Sequence, residues 1–125
     1  ITPGGHRIGL LGLLLKDDRA FRDGTFKGFP ILPVIPTARE LCAQLRAQHV
    51  PDLIIPLTHQ SLADDKALAE AGLGFPLILG GHEHDVFVEQ AGGATIVKAG
   101  SDSWKAAVCD LILPADHELA GGGGG

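Results

Sequence analysis

Three histidines with the chemistry of metal ligands follow two apolar segments of this 125-residue chain. His59 comes directly after the first segment, while His82 and His84 lie in the Gly-Gly-His-Glu-His sequence that follows the second. Neutral imidazole is a common ligand of transition metals, and two histidines one residue apart can bind one metal ion or two. Two ions about 3.5–4 Å apart form a common clamp for phosphoryl hydrolysis. The pattern therefore favours a metal site.

Each of these residues also has a simpler interpretation. A single histidine such as His59 is commonly a hydrogen-bonded loop or core residue, and Glu83 is expected to face solvent rather than a metal ion. His6, His49 and His117 lack a matching context and are interpreted as ordinary surface residues. Metal binding by His59, His82 and His84 is favoured because all three follow apolar segments that are predicted to be strands.

The elements that would position the histidines form a β-α-β-α-β series. The sequence predicts strands over 7–15, 52–57 and 75–79 and helices over 37–48 and 61–71. Thr37 and Glu40 have the spacing of a capping box, and Ser61 with Asp64 suggests a second cap. A helix between the two histidine-bearing strands makes a parallel crossover the expected connection. Ligand sites of open α/β sheets lie beyond the carboxyl ends of the strands, where the histidines would meet.

Local composition adds further expectations. The continuous apolar run at 7–15 is typical of a strand buried on both faces. The segment 16–36 is rich in Gly, Pro and charge and is predicted to be an extended loop. Gly80 and Gly81 are expected to let the backbone turn sharply away from the preceding strand.

The pattern changes after residue 84. Short strands over 86–89, 95–98 and 105–113, separated by Gly-rich turns, predict an antiparallel run. Residues 1–120 are interpreted as one folded part and 121–125 as a Gly-rich tail. The predicted class is α/β, near the α+β boundary.

Composition excludes some functions. Hydrophobic residues make up 45%, the net charge is −5 and the pI is about 5.6, which argues against binding a nucleic-acid polymer. No apolar run reaches the roughly 20 residues of a membrane helix. Cys42 and Cys109 are interpreted as buried thiols, and two cysteines provide no disulfide framework. Few cysteines favour a cytoplasmic location, and the absence of Met is compatible with a fragment.

An ordered series of motifs resembles the calcineurin-like metallophosphoesterases, and within them the 5′-nucleotidase branch. The series covers residues 5–113, almost the whole chain. It consists of Gly-His-Arg-Ile-Gly-Leu-Leu-Gly at 5–12, Asp-Leu-Ile-Ile-Pro-Leu-Thr-His at 52–59, Asp65, Leu68-Ala69, Leu-Ile-Leu-Gly-Gly-His-Glu-His at 77–84 and Val-Lys-Ala-Gly at 97–100.

The resemblance implies a fold, a cofactor and a reaction. The fold would be the C-terminal half of a catalytic domain, part of a β-sandwich flanked by helices. Two divalent ions (Zn, Mn or Fe) would bind in the full domain, with His59 and His82 on the second metal and His84 on the first. Water activated by the metals would hydrolyse a phosphoester or nucleotide substrate.

The family's other motifs do not occur in this chain. Asp-X-His, Gly-Asp-X-X-Asp and Gly-Asn-His, which supply the remaining ligands, are missing. The isolated chain is therefore expected to be inactive and to need other segments to complete the domain. The alternative is a non-catalytic module derived from this family, acting as a structural subunit or scaffold.

Two further residues border the site in the resembling branch. Lys98 and Asp102 are candidate substrate-binding residues on that ground. The simpler interpretation, an exposed strand residue for Lys98 and a turn former for Asp102, is favoured. Trp104 is expected to pack beneath the loop rather than to line a cleft, because a single Trp at a strand start usually buries area.

Overall fold

The computed structural model describes residues 2, 4–17 and 21–113, which form a five-stranded sheet with two helices. The predicted α/β class is confirmed. The elements in chain order are β1 (Ile8–Leu14), α1 (Val34–His49), β2 (Leu53–His59), α2 (Leu62–Glu70), β3 (Leu77–Gly81), β4 (Val86–Ala91) and β5 (Ala94–Ala99). His117 and the predicted tail 121–125 lie outside the described residues. Within the described part, no helix combines the length and apolarity that crossing a bilayer requires.

The sheet has the order β1-β2-β3-β5-β4. β1, β2, β3 and β5 run parallel, and β4 pairs antiparallel with β5. The predicted antiparallel pairing of β4 with β5 is thus confirmed, and β5 also adds a parallel neighbour to β3. Gly92 and Gly93 form the two-residue turn between β4 and β5 with φ of 54° and 84°, values that glycine adopts without steric cost. The described residues form one sheet, so a sandwich stays an expectation from the resemblance.

The predicted strand over 105–113 is wrong. These residues have no regular secondary structure. Part of the segment lines a cleft of about 450 Å³ together with Val86, Val88 and Val97 on one face of the sheet. Val108 and Ile112 of this segment are exposed, so its apolar character leads neither to a strand nor to burial.

Both helices pack on one face of the sheet. The larger of two hydrophobic clusters joins Leu11, Ile54 and Ile78 from the strands with Cys42 of α1 and Leu68 of α2. β1 alternates between buried and partly exposed residues, and Leu10 on the opposite face is 60% exposed. The prediction that β1 is buried on both faces is therefore wrong, because both helices of the described residues pack on the other face.

The two helices differ in how their N-termini are capped. α1 begins at Val34, one turn before Thr37, and Pro33 precedes it without a side-chain cap, so the predicted capping box is absent. Proline accommodates a helix start because the missing N–H has no helical partner there. α2 begins as predicted, since the Ser61 side chain accepts a hydrogen bond from Asp64 N at 3.1 Å.

Two side chains expected to be buried are exposed. Cys109 is exposed, whereas Cys42 is fully buried as predicted. Trp104 is 85% exposed, because it closes a turn that begins at Ser101 and does not reach the core. Burial of both residues was inferred from their apolar character, which does not determine whether a partner surface lies opposite.

The two thiols are expected to react at very different rates with a water-soluble thiol reagent. Desolvation raises the pKa of the Cys42 thiol, an effect that nearby Arg46 partly offsets, and the side chain is inaccessible in the fold. Cys109 is exposed and should label at once, followed by Cys42 only on unfolding. A Cys109→Ser variant isolates the slow thiol. Equal labelling rates in the native chain would contradict the placement of Cys42.

Candidate functional site

Two of the three predicted histidines meet at the carboxyl ends of adjacent strands. β2 and β3 are parallel neighbours, with His59 paired opposite Gly81 at their shared end. His82 follows Gly81, and the rings of His59 and His82 contact each other edge to face, with centroids 5.3 Å apart and an interplanar angle of 75°. The fold therefore brings together residues 23 positions apart in the sequence.

The turn after β3 is made at His82. Gly80 and Gly81 both belong to β3, and neither has a positive φ, so the expectation that they turn the backbone is wrong. His82 has φ of 88°, a left-handed value that is uncommon for a residue with a side chain. Such strain persists only where surrounding contacts hold the chain, and it often accompanies functional sites.

His84 does not join the other two histidines in a metal-binding group. Its side chain is exposed. Among residues 2, 4–17 and 21–113, no group of three or more His, Cys, Asp or Glu side chains is arranged to hold a metal ion. The structure thus pairs His59 with His82 and leaves His84 on the surface of the turn.

The paired rings match a shared metal ion in their separation, whereas their edge-to-face orientation requires one ring to turn before a nitrogen of each faces the same ion. An ion bonded to one nitrogen of each ring at about 2.1 Å would lie about 3.2 Å from each ring centre. Two rings at a tetrahedral angle around it would then have centres about 5.2 Å apart, against the 5.3 Å between His59 and His82. Two imidazoles leave further coordination positions for ligands from elsewhere.

A cleft of about 690 Å³ adjoins His82. It lies between the end of β1, the start of α1 and the start of α2, and its walls include Lys16, Ser61 and Asp64. This position, beyond the carboxyl ends of parallel strands, is where open α/β sheets bind ligands. Asp102 is an exposed turn residue that accepts a hydrogen bond from Ser101 Oγ at 2.9 Å, so its interpretation as a turn former is confirmed.

Glu83 points into the protein, contrary to the expectation that it faces solvent. Its Oε1 accepts a hydrogen bond of 2.5 Å from Leu62 N, at the first turn of α2, and its Oε2 accepts one from Lys98 Nζ. Burial raises the pKa of Glu83, but the hydrogen bonds from Lys98 and Leu62 N outweigh it and hold that pKa below its ordinary value. The positive end of the helix dipole also favours a carboxylate there.

Lys98 is fully buried, so its interpretation as an exposed strand residue is wrong. Its ammonium donates hydrogen bonds to Gln60 O at 2.6 Å, to Gly81 O at 2.9 Å and to Glu83. These three acceptors use all three N–H groups. Asp65 Oδ2 lies 2.9 Å from the same nitrogen, as an ion pair without hydrogen-bond geometry.

Three buried side chains and the partly buried Glu83 form a polar group, here called the Lys98 cluster: Lys98, Asp65, Glu83 and Gln60. Gln60 is 1% exposed and donates from Nε2 to Asp65 Oδ1 at 2.9 Å. The cluster holds one cationic and two acidic side chains beneath the histidine pair. Buried charges are costly unless they are paired and hydrogen-bonded, so their retention requires this mutual arrangement.

Sequence reasoning missed this cluster, although signals for it exist. Lys98 follows Ala94 and Ile96 at the two-residue period of a strand face, and both of those are buried. Asp65 precedes Leu68 by three residues, the spacing of a shared helix face. A charged residue in the register of a buried face signals a buried ion pair.

Gly80 leaves the space that the Lys98 cluster fills. A Cβ on Gly80 would lie 2.8 Å from Lys98 Cε and 2.9 Å from Asp65 Oδ2. Glycine is therefore required at position 80 because a side chain there would overlap Lys98 and Asp65, and not because the chain bends at this residue.

Comparison with known proteins finds one partial similarity. The chain is 31% identical over 84 residues to "Protein 5NUC" from Lutzomyia longipalpis, a name that denotes a 5′-nucleotidase. The match covers 66% of this chain and 14% of that protein's length. No family model matches the chain, and no solved structure matches it. The chain is thus similar to a limited part of a much longer protein named as a 5′-nucleotidase.

Proposed function

We propose that this chain contributes part of the metal site of a phosphoester hydrolase of the 5′-nucleotidase kind. The observation that carries the proposal is the contact between His59 and His82 at the carboxyl ends of two parallel strands, beside an open cleft. Similarity to a protein named as a 5′-nucleotidase also supports a phosphoester hydrolase. Nucleotides are the proposed substrate class, on the strength of that similarity.

The proposed roles follow from ring position. His59 and His82 would hold one divalent ion, with Zn, Mn and Fe as candidates. His84 would bind a second ion only if a movement of the turn or another segment placed a further metal ligand beside it. Divalent ions at such a site lower the pKa of water and neutralise phosphate charge. In the reaction, a water oxygen bonds to phosphorus, the ester P–O bond breaks, and the leaving alkoxide takes the proton that the attacking water releases.

The test uses a protein in which this chain is joined to segments carrying Asp-X-His, Gly-Asp-X-X-Asp and Gly-Asn-His. His82→Ala and His84→Ala should each lower phosphatase turnover and bound metal, because each would remove a ligand from a site that needs both ions. We expect a loss of about 100-fold in turnover or more, by analogy with the loss of other groups that stabilise transition-state charge. Metal analysis and nucleotide hydrolysis at saturating metal are the measurements.

His49→Ala is the matched control, since His49 is an exposed histidine at the end of α1. It should leave turnover and metal content unchanged. Wild-type turnover in both His82→Ala and His84→Ala would reject the enzymatic proposal. If the protein carrying this chain lacks the other motifs and no partner chain supplies them, the scaffold alternative replaces it.

A further inference from the structure

We propose that Lys98 and Glu83 are positioning residues that hold the two histidine-bearing strand ends together, so that His82 faces His59. The structural part of this inference concerns the protein without metal. Its consequence for ligand binding rests on the function proposed above. In this role both residues act through the backbone, Lys98 on the carbonyls of the strand ends and Glu83 on the turn that carries His82.

One ammonium group joins the two strand ends. Lys98 Nζ bonds to the carbonyl of Gln60, the residue after His59, and to the carbonyl of Gly81, the residue before His82. Gly81 closes the β2–β3 ladder opposite His59, and Gln60 lies one residue beyond the end of β2. Lys98 therefore sets the separation of the two backbone segments from which the imidazole rings project.

Glu83 determines which way the turn faces. Its carboxylate is held from two sides, by Leu62 N of α2 and by Lys98. With Glu83 directed inward, its neighbours His82 and His84 are left exposed, and the left-handed backbone at His82 is stabilised by a contact one residue away. The Glu83 carboxylate therefore ties the turn at 82–84 to the start of α2 and to Lys98 of β5.

The same cluster could instead serve stability alone. A stabilising role predicts that removing Glu83 lowers the free energy of unfolding but leaves the ring contact unchanged in molecules that remain folded. A positioning role predicts that the ring contact is lost while the fold persists. The two roles therefore separate in a measurement on the folded chain without metal.

The experiment uses the 125-residue chain and compares Glu83→Ala, Glu83→Asp and Glu83→Gln. In the metal-free protein, NMR should show a nuclear Overhauser contact between the His59 and His82 rings in the wild type. Glu83→Gln keeps the side-chain length but only one of the two acceptor oxygens, so it should weaken the contact without abolishing it. Glu83→Ala should lose the contact. Glu83→Asp, one methylene shorter, should weaken it, and this variant carries the test if Glu83→Ala does not fold.

Zinc titration provides the second readout. Outer-shell residues typically change metal affinity by about 10–100-fold, and we expect Glu83→Ala to weaken zinc binding about 10-fold. Glu89→Ala is the matched control, since it removes a carboxylate that pairs with Lys66 at 3.0 Å on the surface. That control should change neither the ring contact nor zinc affinity.

The outcomes distinguish this inference from the proposed function. An unchanged ring contact in folded Glu83→Ala and Glu83→Asp would overturn the positioning role. A second outcome is that the contact is lost in those variants while the wild-type chain fails to bind zinc through His59 and His82. That result would support the positioning role and contradict the metal-site proposal. Loss of both contact and affinity in Glu83→Ala, with smaller losses in Glu83→Gln, supports the two together.

Discussion

Replacing Lys98 with methionine is expected to lower the free energy of unfolding by about 3–5 kcal/mol, the cost of leaving a buried charge without its partner. Methionine fills the space of the aliphatic stem but provides no positive charge. Asp65 is 0% exposed and would lose the cation 2.9 Å from its Oδ2. Native proteins are stable by only about 5–15 kcal/mol, so the variant should be marginal at room temperature. Urea unfolding followed by circular dichroism measures the change.

The control is Lys66→Met, which removes the same charge from a pair on the surface. Lys66 and Glu89 are 3.0 Å apart and about two-fifths exposed. Solvent screens such a pair, and exposed pairs contribute about 0.2–1 kcal/mol. Adding Asp65→Asn to Lys98→Met should recover part of the loss, because it removes one uncompensated carboxylate. Equal losses for Lys98→Met and Lys66→Met would contradict the described burial of the cluster.

Replacing Gly80 with alanine is expected to lower the free energy of unfolding by about 1–3 kcal/mol, the usual cost of inserting a group into a packed interior. The added methyl would lie 2.8 Å from Lys98 Cε and 2.9 Å from Asp65 Oδ2, closer than real Cβ atoms come to their neighbours. Relief of this contact requires Lys98 to shift, which lengthens its bonds to the strand ends. The expected consequence is a weaker contact between the His59 and His82 rings.

Gly12→Ala is the matched control for this change. Gly12 also lies within a parallel strand, has no positive φ, and has nothing within 4 Å of the position of an added Cβ. Alanine there should be neutral or stabilising by about 0.5–1 kcal/mol, because glycine loses more conformational freedom on folding. The denaturant midpoints of Gly80→Ala and Gly12→Ala measure the two changes in stability. A Gly80→Ala chain as stable as Gly12→Ala would show that the space around Lys98 is not closely packed.

Periodicity predicted the elements that position the histidines. The helix over 61–71 and its cap at Ser61 were predicted from local signals and are formed as α2. The strands before His59 and His82 were also predicted, although β2 and β3 extend further toward the histidines than expected. These features depend on residues close in sequence, so a local pattern is sufficient to reveal them.

Features that depend on distant surfaces were predicted less well. Apolar character suggested burial for Trp104 and Cys109, both of which are exposed. It also suggested a strand over 105–113, which has no regular secondary structure. Charge suggested exposure for Lys98 and Glu83, yet Lys98 is buried and Glu83 points inward. In each case the outcome depends on what lies opposite the side chain, which local pattern does not contain.

The sequence by itself determined the α/β order of elements and the placement of His59 and His82 after two strands, because hydrophobic period and helix caps act over a few residues. Only the tertiary structure decided that those two rings touch and that His84 stays apart. It also decided that a buried lysine joins the strand ends beneath them. The physical reason is that one ammonium can bind Gln60 O, Gly81 O and Glu83 together only after three strands and a helix have packed around it.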